Sequence, residues 1–226
     1  METSAITNIE PVYLRPNRQR ANELILSFTA LFISSIFCLG SNIMEYYFMD
    51  KAVILGVDMI EAEANDTRQQ IVNGINLIIY VVTVVLFIRW FRRAYYNLRE
   101  LGVNTKYGDN MAVAAWFIPF LNFIRPFEIM KEIWQNTQSE TIGKDHIEKT
   151  PLLVIWWVLW LICGILGQIS FRYNATTIEE FIRLNKLNIF SDAITLITII
   201  IIMTLIYRLR RMEDELTSSR ENFYHQ

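Results

Sequence analysis

The sequence predicts an all-α integral membrane protein: four transmembrane helices, with a cytosolic or re-entrant helical block between spans two and three. Three observations carry that prediction. Hydrophobic residues are 53% of the chain, and they gather in long charge-free runs instead of recurring at core-forming intervals. Four of those runs have roughly the 20 apolar residues that a helix needs to cross the hydrocarbon. The basic residues between them are shared unevenly, as they are when a membrane fixes the topology.

Residues 1–23 form a polar lead, where Pro11 and Pro16 oppose a continuous helix and Arg15, Arg18 and Arg20 stand just ahead of the first apolar run. The lead has acids and no short apolar core with a small-residue cleavage site, so a cleavable signal peptide is not expected. Residues 24–88 hold the first two spans. Leu24–Met44 is free of charge, and its polar residues Ser27, Ser34, Cys38, Ser41 and Asn42, with Glu45 just beyond, recur at threes, fours and sevens on one helix face. Such a stripe either lets another helix approach closely or lines a wet path. Tyr46 to Gln70 reads as an interfacial aromatic belt followed by an acidic loop, and Ile71–Ile88 as span two.

Residues 89–150 are the block least explained by membrane chemistry. Phe91, Ala94, Tyr95, Leu98 and Leu101 fall at helical intervals opposite Arg92, Arg93 and Arg99, so the helix is expected to leave the membrane and end at Gly102. Met111–Ile124 is apolar but only fourteen residues long, with Pro119 inside it, which suits a re-entrant or interfacial segment better than a span. Pro126 opens a helix whose stripe of Phe127, Met130, Ile133 and Trp134 reads as lying along the interface, and Gln135–Thr150 reads as polar linker. Residues 151–207 hold span three, Leu152–Phe171, and span four, Leu187–Tyr207, joined by a short polar connection. Residues 208–226 read as a cytosolic tail.

Basic residues decide the topology. With four spans, sixteen of the 21 Lys and Arg fall on the side of both termini and the central block, and five on the other. A fifth span at Met111–Ile124 would erase that bias. Both termini and the block are therefore expected in the cytoplasm.

Chemistry-bearing motifs are scarce. The chain has no Gly-rich phosphate loop, no His-Glu-x-x-His pair and no nucleophile elbow, so no enzyme is expected. Cys38 and Cys163 lie in apolar runs as packing residues, and His146 and His225 have no ligand-spaced partner, so neither metal nor cofactor is expected. A net charge of −2 excludes a strongly basic footprint for double-stranded nucleic acid. The sequons at Asn65 and Asn174 both fall in the expected outer loops; in a bacterial protein they would be coincidence, and they carry little weight.

Two residue groups remain. Glu45 and Asp192 sit near the outer ends of their spans, as water-facing interfacial carboxylates or as a paired acid and base. Asp192 shares a face with Thr195 and Thr198, the arrangement of a cation-attracting vestibule and equally of an ordinary helix entrance. The candidate pore lining is thus Ser34, Cys38, Ser41, Asn42, Glu45, Asp192, Thr195 and Thr198. Arg89, Arg92, Arg93, Tyr96, Arg99 and Arg125 form a basic-aromatic face that could meet anionic lipid or bind a phosphorylated ligand.

Arg93-Ala94-Tyr95, Asn97-Leu98, Leu101-Gly102, Trp116, Ile118-Pro119-Phe120, Asn122, Arg125-Pro126-Phe127, Met130, Glu132 and Trp134 resemble the signature of a bacterial membrane family catalogued as domain of unknown function 4328. The resemblance extends through Trp156-Trp157 and Leu159-Trp160. It implies a bacterial inner-membrane protein and supplies no activity.

These features point to a homo-oligomeric channel or pore-forming effector in the bacterial inner membrane, of the stress or phage-defence type. Its expected gate is a cytosolic ligand, a nucleotide or oligonucleotide, on the basic-aromatic face. The alternative is a non-conducting scaffold or accessory subunit that holds a protein partner or anionic lipid.

Overall fold

In the computed structural model, residues 14–143 and 151–224 are described. Their regular elements are helices: α1 (Arg18–Leu55), α2 (Met59–Glu100), α3 (Met111–Ala114), a 3-10 turn at Leu121–Phe123, α4 (Arg125–Ile142), α5 (Pro151–Arg172) and α6 (Ile178–Tyr224). Four of them, α1, α2, α5 and α6, are long and apolar enough to cross a membrane. The chain is an all-α, multi-pass integral membrane protein. His146 and His225 lie outside the described residues.

The helices overrun the apolar stretches that nucleate them, and several stretches expected to be irregular are helical. The acidic segment between the first two spans is helix except for residues 56–58. Its one backbone break is Gly56, at φ 72°, whose N–H still reaches the Ala52 carbonyl at 3.1 Å. Span four starts early because Thr177 and Glu180 make a capping box, each side chain bonded to the other's backbone N–H at 3.3 Å. Past the span the helix carries the i, i+4 ion pairs Arg210–Asp214 and Arg211–Glu215, which support its continuation. α4 likewise continues through Gln135–Ile142, which the sequence assigned to linker.

Two compact units divide the chain. Among the described residues, one contains 19–90 and 151–208 and the other 14–18, 91–143 and 209–224.

The first unit holds the apolar windows of all four spanning helices. Only 11% of the α2 window is buried, and Leu77, Ile78, Val81, Val82 and Val85 stand at least half exposed. In water such a surface would aggregate, whereas in lipid it is what a span must present. The interior side carries Leu24, Phe28 and Leu31 of α1 and Ile199, Ile202 and Leu205 of α6. Phe87 of α2 lies 5.9 Å from Trp90 and 6.4 Å from Trp156, and Trp157 stacks on Trp160 at 4.7 Å.

The second unit is organised by residues that the helical spacing singled out. Phe91, Ala94, Tyr95 and Leu98 are all buried, as are Ile129, Met130, Ile133 and Trp134 of α4 and Leu209 of α6. The α4 stripe therefore meets protein, not the membrane interface expected of it, because buried side chains of α2 and α6 fill this core. A Schellman closure ends α2: Gly102 at φ 79° donates to Arg99 O at 2.9 Å, and Val103 to Leu98 O at 3.1 Å. Met111–Ile124 is neither span nor continuous helix. One turn of α3 runs into irregular backbone at Pro119 and the short 3-10 turn, and Phe120 is 81% exposed.

Candidate functional site

The polar stripe of α1 meets matching residues on α2, and the match is periodic. Ser27 O accepts from Thr83 at 3.4 Å, Ser34 Oγ accepts from Asn76 at 2.9 Å, and Ser41 Oγ donates to Gln69 Oε1 at 3.2 Å. Each step of seven residues up α1 is answered by a step of seven down α2. That is the register of two antiparallel helices winding about each other, with hydrogen bonds at the repeating positions. Cys38 fits the same register, its Sγ 4.0 Å from Val72 O. A final rung closes the ladder. Glu45 Oε2 accepts from Asn65 at 2.6 Å, Gln69 at 3.2 Å and Arg68 at 3.4 Å.

Other members of the candidate pore lining are paired on the remaining helices of the same unit. Asn42 Nδ2 donates to Asp192 Oδ2 at 2.7 Å, joining α1 to α6. Thr195 and Thr198 both lie 3.7 Å from Cys163 Sγ on α5. Glu45 and Asp192 thus do not pair with each other, and Glu45 is not the water-facing carboxylate expected, since its side chain is 19% exposed and ion-paired to Arg68. Asn65 of the sequon is buried against it.

Sequence reasoning missed the α2 half of this ladder. Gln69 was assigned to the acidic loop and Asn76 and Thr83 to span two, yet their seven-residue spacing mirrors Ser27, Ser34 and Ser41 and was there to be seen.

The basic-aromatic residues separate into different surroundings. Arg89 belongs to the unit with the spans, where its side chain is exposed and its carbonyl accepts from Arg20 at 2.9 Å. In the other unit Arg99 pairs with Asp109 at 3.0 Å. Arg125 reaches Met111 Sδ at 3.1 Å and lies 5.3 Å from the centre of the Tyr107 ring. Arg92 and Arg93 have no ion pair among the described residues, and a residue outside the candidate list joins them. Arg15 lies with its guanidinium 4.1 Å over the Tyr96 ring, held there by Asn97, which accepts from Arg15 N at 3.2 Å and donates to Arg15 O at 3.0 Å. Burial, and next the neighbouring Arg15 charge, lower the Arg93 pKa from its ordinary value.

A second polar cluster in this unit fixes the loop that follows α2. Tyr95 OH donates to Glu132 Oε2 at 2.7 Å and accepts from Tyr107 N at 3.0 Å. Tyr107 OH and Lys106 Nζ both donate to Glu128. Burial first and the Glu132 bond second push the Tyr95 phenol up. The Lys106 bond, then that of Tyr107, holds Glu128 below the usual carboxylate range. Every acid here has a donor fixing its position, so the cluster is a brace, not a free acid/base pair.

Among the described residues, no group of three or more His, Cys, Asp or Glu side chains is placed to hold a metal ion. A family model described as Domain of unknown function (DUF4328) matches residues 55–211, more than half of the chain. No curated protein and no solved structure matches.

Proposed function

The chain belongs to that family, and from this premise we propose that it is a homo-oligomeric channel or pore-forming effector of the bacterial inner membrane. Its gate would be an anionic cytosolic ligand of the nucleotide or oligonucleotide kind, in a stress or phage-defence setting. Both termini and the 89–150 block would be cytoplasmic, on the strength of the Lys and Arg bias.

The observation that carries the channel reading is the polar ladder. Side chains able to replace water's hydrogen bonds occur at every second turn of α1 and α2, from Ser27 and Thr83 to Glu45 and Arg68. Polar and ionised groups in spans are expensive and gather along ion or water paths. Asp192, offset onto α6 beside Asn42, would supply the cation preference.

The second reading, a non-conducting scaffold, is favoured by the fact that each rung is already closed within one chain, the usual way polar residues join membrane helices. Ion flux through liposomes of purified protein separates the two. Conductance that Asp192→Ala or Asn76→Leu abolishes supports the channel. Silence under nucleotides and oligonucleotides alike, with Arg92→Ala plus Arg93→Ala abolishing partner recovery, supports the scaffold.

A further inference from the structure

We propose that Arg15, Arg92 and Arg93, with the ring of Tyr96 as their platform, form a binding site for a phosphate group. Arg99 and Arg125 lie outside it. This deepens the ligand-gated reading above and rests on it for the site's purpose, though not for its existence.

Arg92 and Arg93 precede Tyr96 by four and three residues on α2, the spacing that sets side chains on one helix face. Arg15 comes from a segment distant in sequence and is fixed at two points by Asn97, which is itself buried. A buried asparagine thus holds the backbone of Arg15, and the Tyr96 ring receives its guanidinium on the helix face that carries Arg92 and Arg93. Like charges so gathered repel, and the arrangement is stable only when each cation keeps its water or an anion lies among them.

Several carboxylates of the same unit are engaged with other cations. Asp109 takes Arg99 at 3.0 Å, Asp214 takes Arg18 and Arg210 at 3.7 Å, and Glu128 takes Lys106 at 2.8 Å. Glu100 first, then burial, pushes the Tyr96 phenol up, while the face of the ring receives the Arg15 guanidinium. The cation–π contact with that ring places the Arg15 guanidinium, and guanidinium forks match the oxygens of a phosphate better than ammonium groups do. Three guanidinium groups suit a phosphate carrying more than one negative charge.

That phosphate could belong to a free nucleotide or to a lipid headgroup, and the test separates the sources. Full-length protein is placed in nanodiscs of phosphatidylcholine alone and titrated calorimetrically with inorganic pyrophosphate. In parallel, retained lipid is counted by mass spectrometry after reconstitution with phosphatidylglycerol. Arg15→Ala, Arg92→Ala and Arg93→Ala are each expected to weaken anion binding about tenfold, the equivalent of about 1.4 kcal/mol, while Arg99→Ala and Arg125→Ala leave it unchanged. Pyrophosphate binding with this pattern supports the site and a soluble ligand. Defined phosphatidylglycerol retention with the same pattern supports the site and a lipid ligand. If neither anion binds, or the three variants bind as wild type does, the proposal is overturned. Anion binding in a protein that never conducts would refute the channel and leave this site standing.

Discussion

Asn42 of α1 donates its side-chain amide to Asp192 of α6 across 2.7 Å, the hydrogen bond that joins the first apolar run of the chain to the last. Removing either partner leaves the other polar group in the bundle without its mate. Measured interhelical bonds of this kind in membranes average about 0.6 kcal/mol and reach about 1.7. Asp192→Ala should therefore lower thermal stability in detergent by about 1 kcal/mol and leave the protein folded, so that conductance can be read on an intact variant. A variant that fails to fold would show that Asp192 is a far larger structural element than one hydrogen bond provides.

The register of α1 against α2 predicts a specific cross-link. Cys38 Sγ lies 4.0 Å from Val72 O, so in a Cys163→Ser background Val72→Cys should form a disulfide on mild oxidation. Asn73→Cys, rotated about 100° around α2 by helix geometry, should not. Non-reducing gel mobility after a protease cut between the helices reports the difference. Cross-linking at 73 but not 72 would break the register.

Glu213 gives the fold a pH dependence. Asn17 Nδ2 donates to both of its carboxylate oxygens at 3.1 Å, but burial dominates and, with the negative charge of Asp214, pushes its pKa from 4.5 up to about 7. Between those values the folded chain binds more protons here than the unfolded chain, so this group's contribution to stability falls as pH rises through the window. It is level below the unfolded value and above the folded one. Glu213→Gln should flatten wild-type loss of stability between pH 4.5 and 7, measured as thermal midpoint against pH. An unchanged slope in the variant would refute the assignment.

Tyr95→Phe tests the brace behind α2. The substitution removes one hydroxyl, which leaves the Tyr107 N–H without its acceptor and leaves Glu132 Oε2 with the Lys106 N–H at 3.3 Å. Leaving buried polar groups unsatisfied costs about 1–3 kcal/mol, and a loss in that range is expected by thermal or denaturant unfolding. Glu132→Gln, which can still accept from Tyr95, should cost less.

How far the sequence could be read depended on the range of the forces involved. Spans announce themselves through runs of apolar residues, and the buried side of α2 beyond the membrane, Phe91 through Leu98, through helical spacing. Helix ends set by local chemistry were also legible, as at Gly102. What stayed hidden depends on partners far along the chain. Nothing at Arg15 says that Asn97 will hold it, and nothing at Arg99 says that Asp109 will occupy it. The α4 stripe looked interfacial because an apolar face does not reveal whether lipid or protein will cover it.

Phe120 offers a last test, because its backbone and its side chain make opposite demands. It is the one described non-glycine residue with positive φ, at 65°, a region in which a Cβ crowds the backbone at a cost of order 1–3 kcal/mol. Burial of the ring does not offset that cost within the protein, since 81% of the residue is exposed. In detergent, Phe120→Gly should raise the thermal midpoint by relieving the strain, whereas Phe120→Ala, which keeps the Cβ, should not. Reconstituted in lipid, the comparison can reverse. Phe117, Phe123 and Ile124 are also more than half exposed, and Phe91, whose ring lies 5.7 Å from that of Trp116 at the start of this segment, is only three residues past Ile88. If the bilayer receives these side chains, Phe120→Gly will lose part of its gain there. An equal gain in detergent and lipid would show that the ring meets neither protein nor membrane.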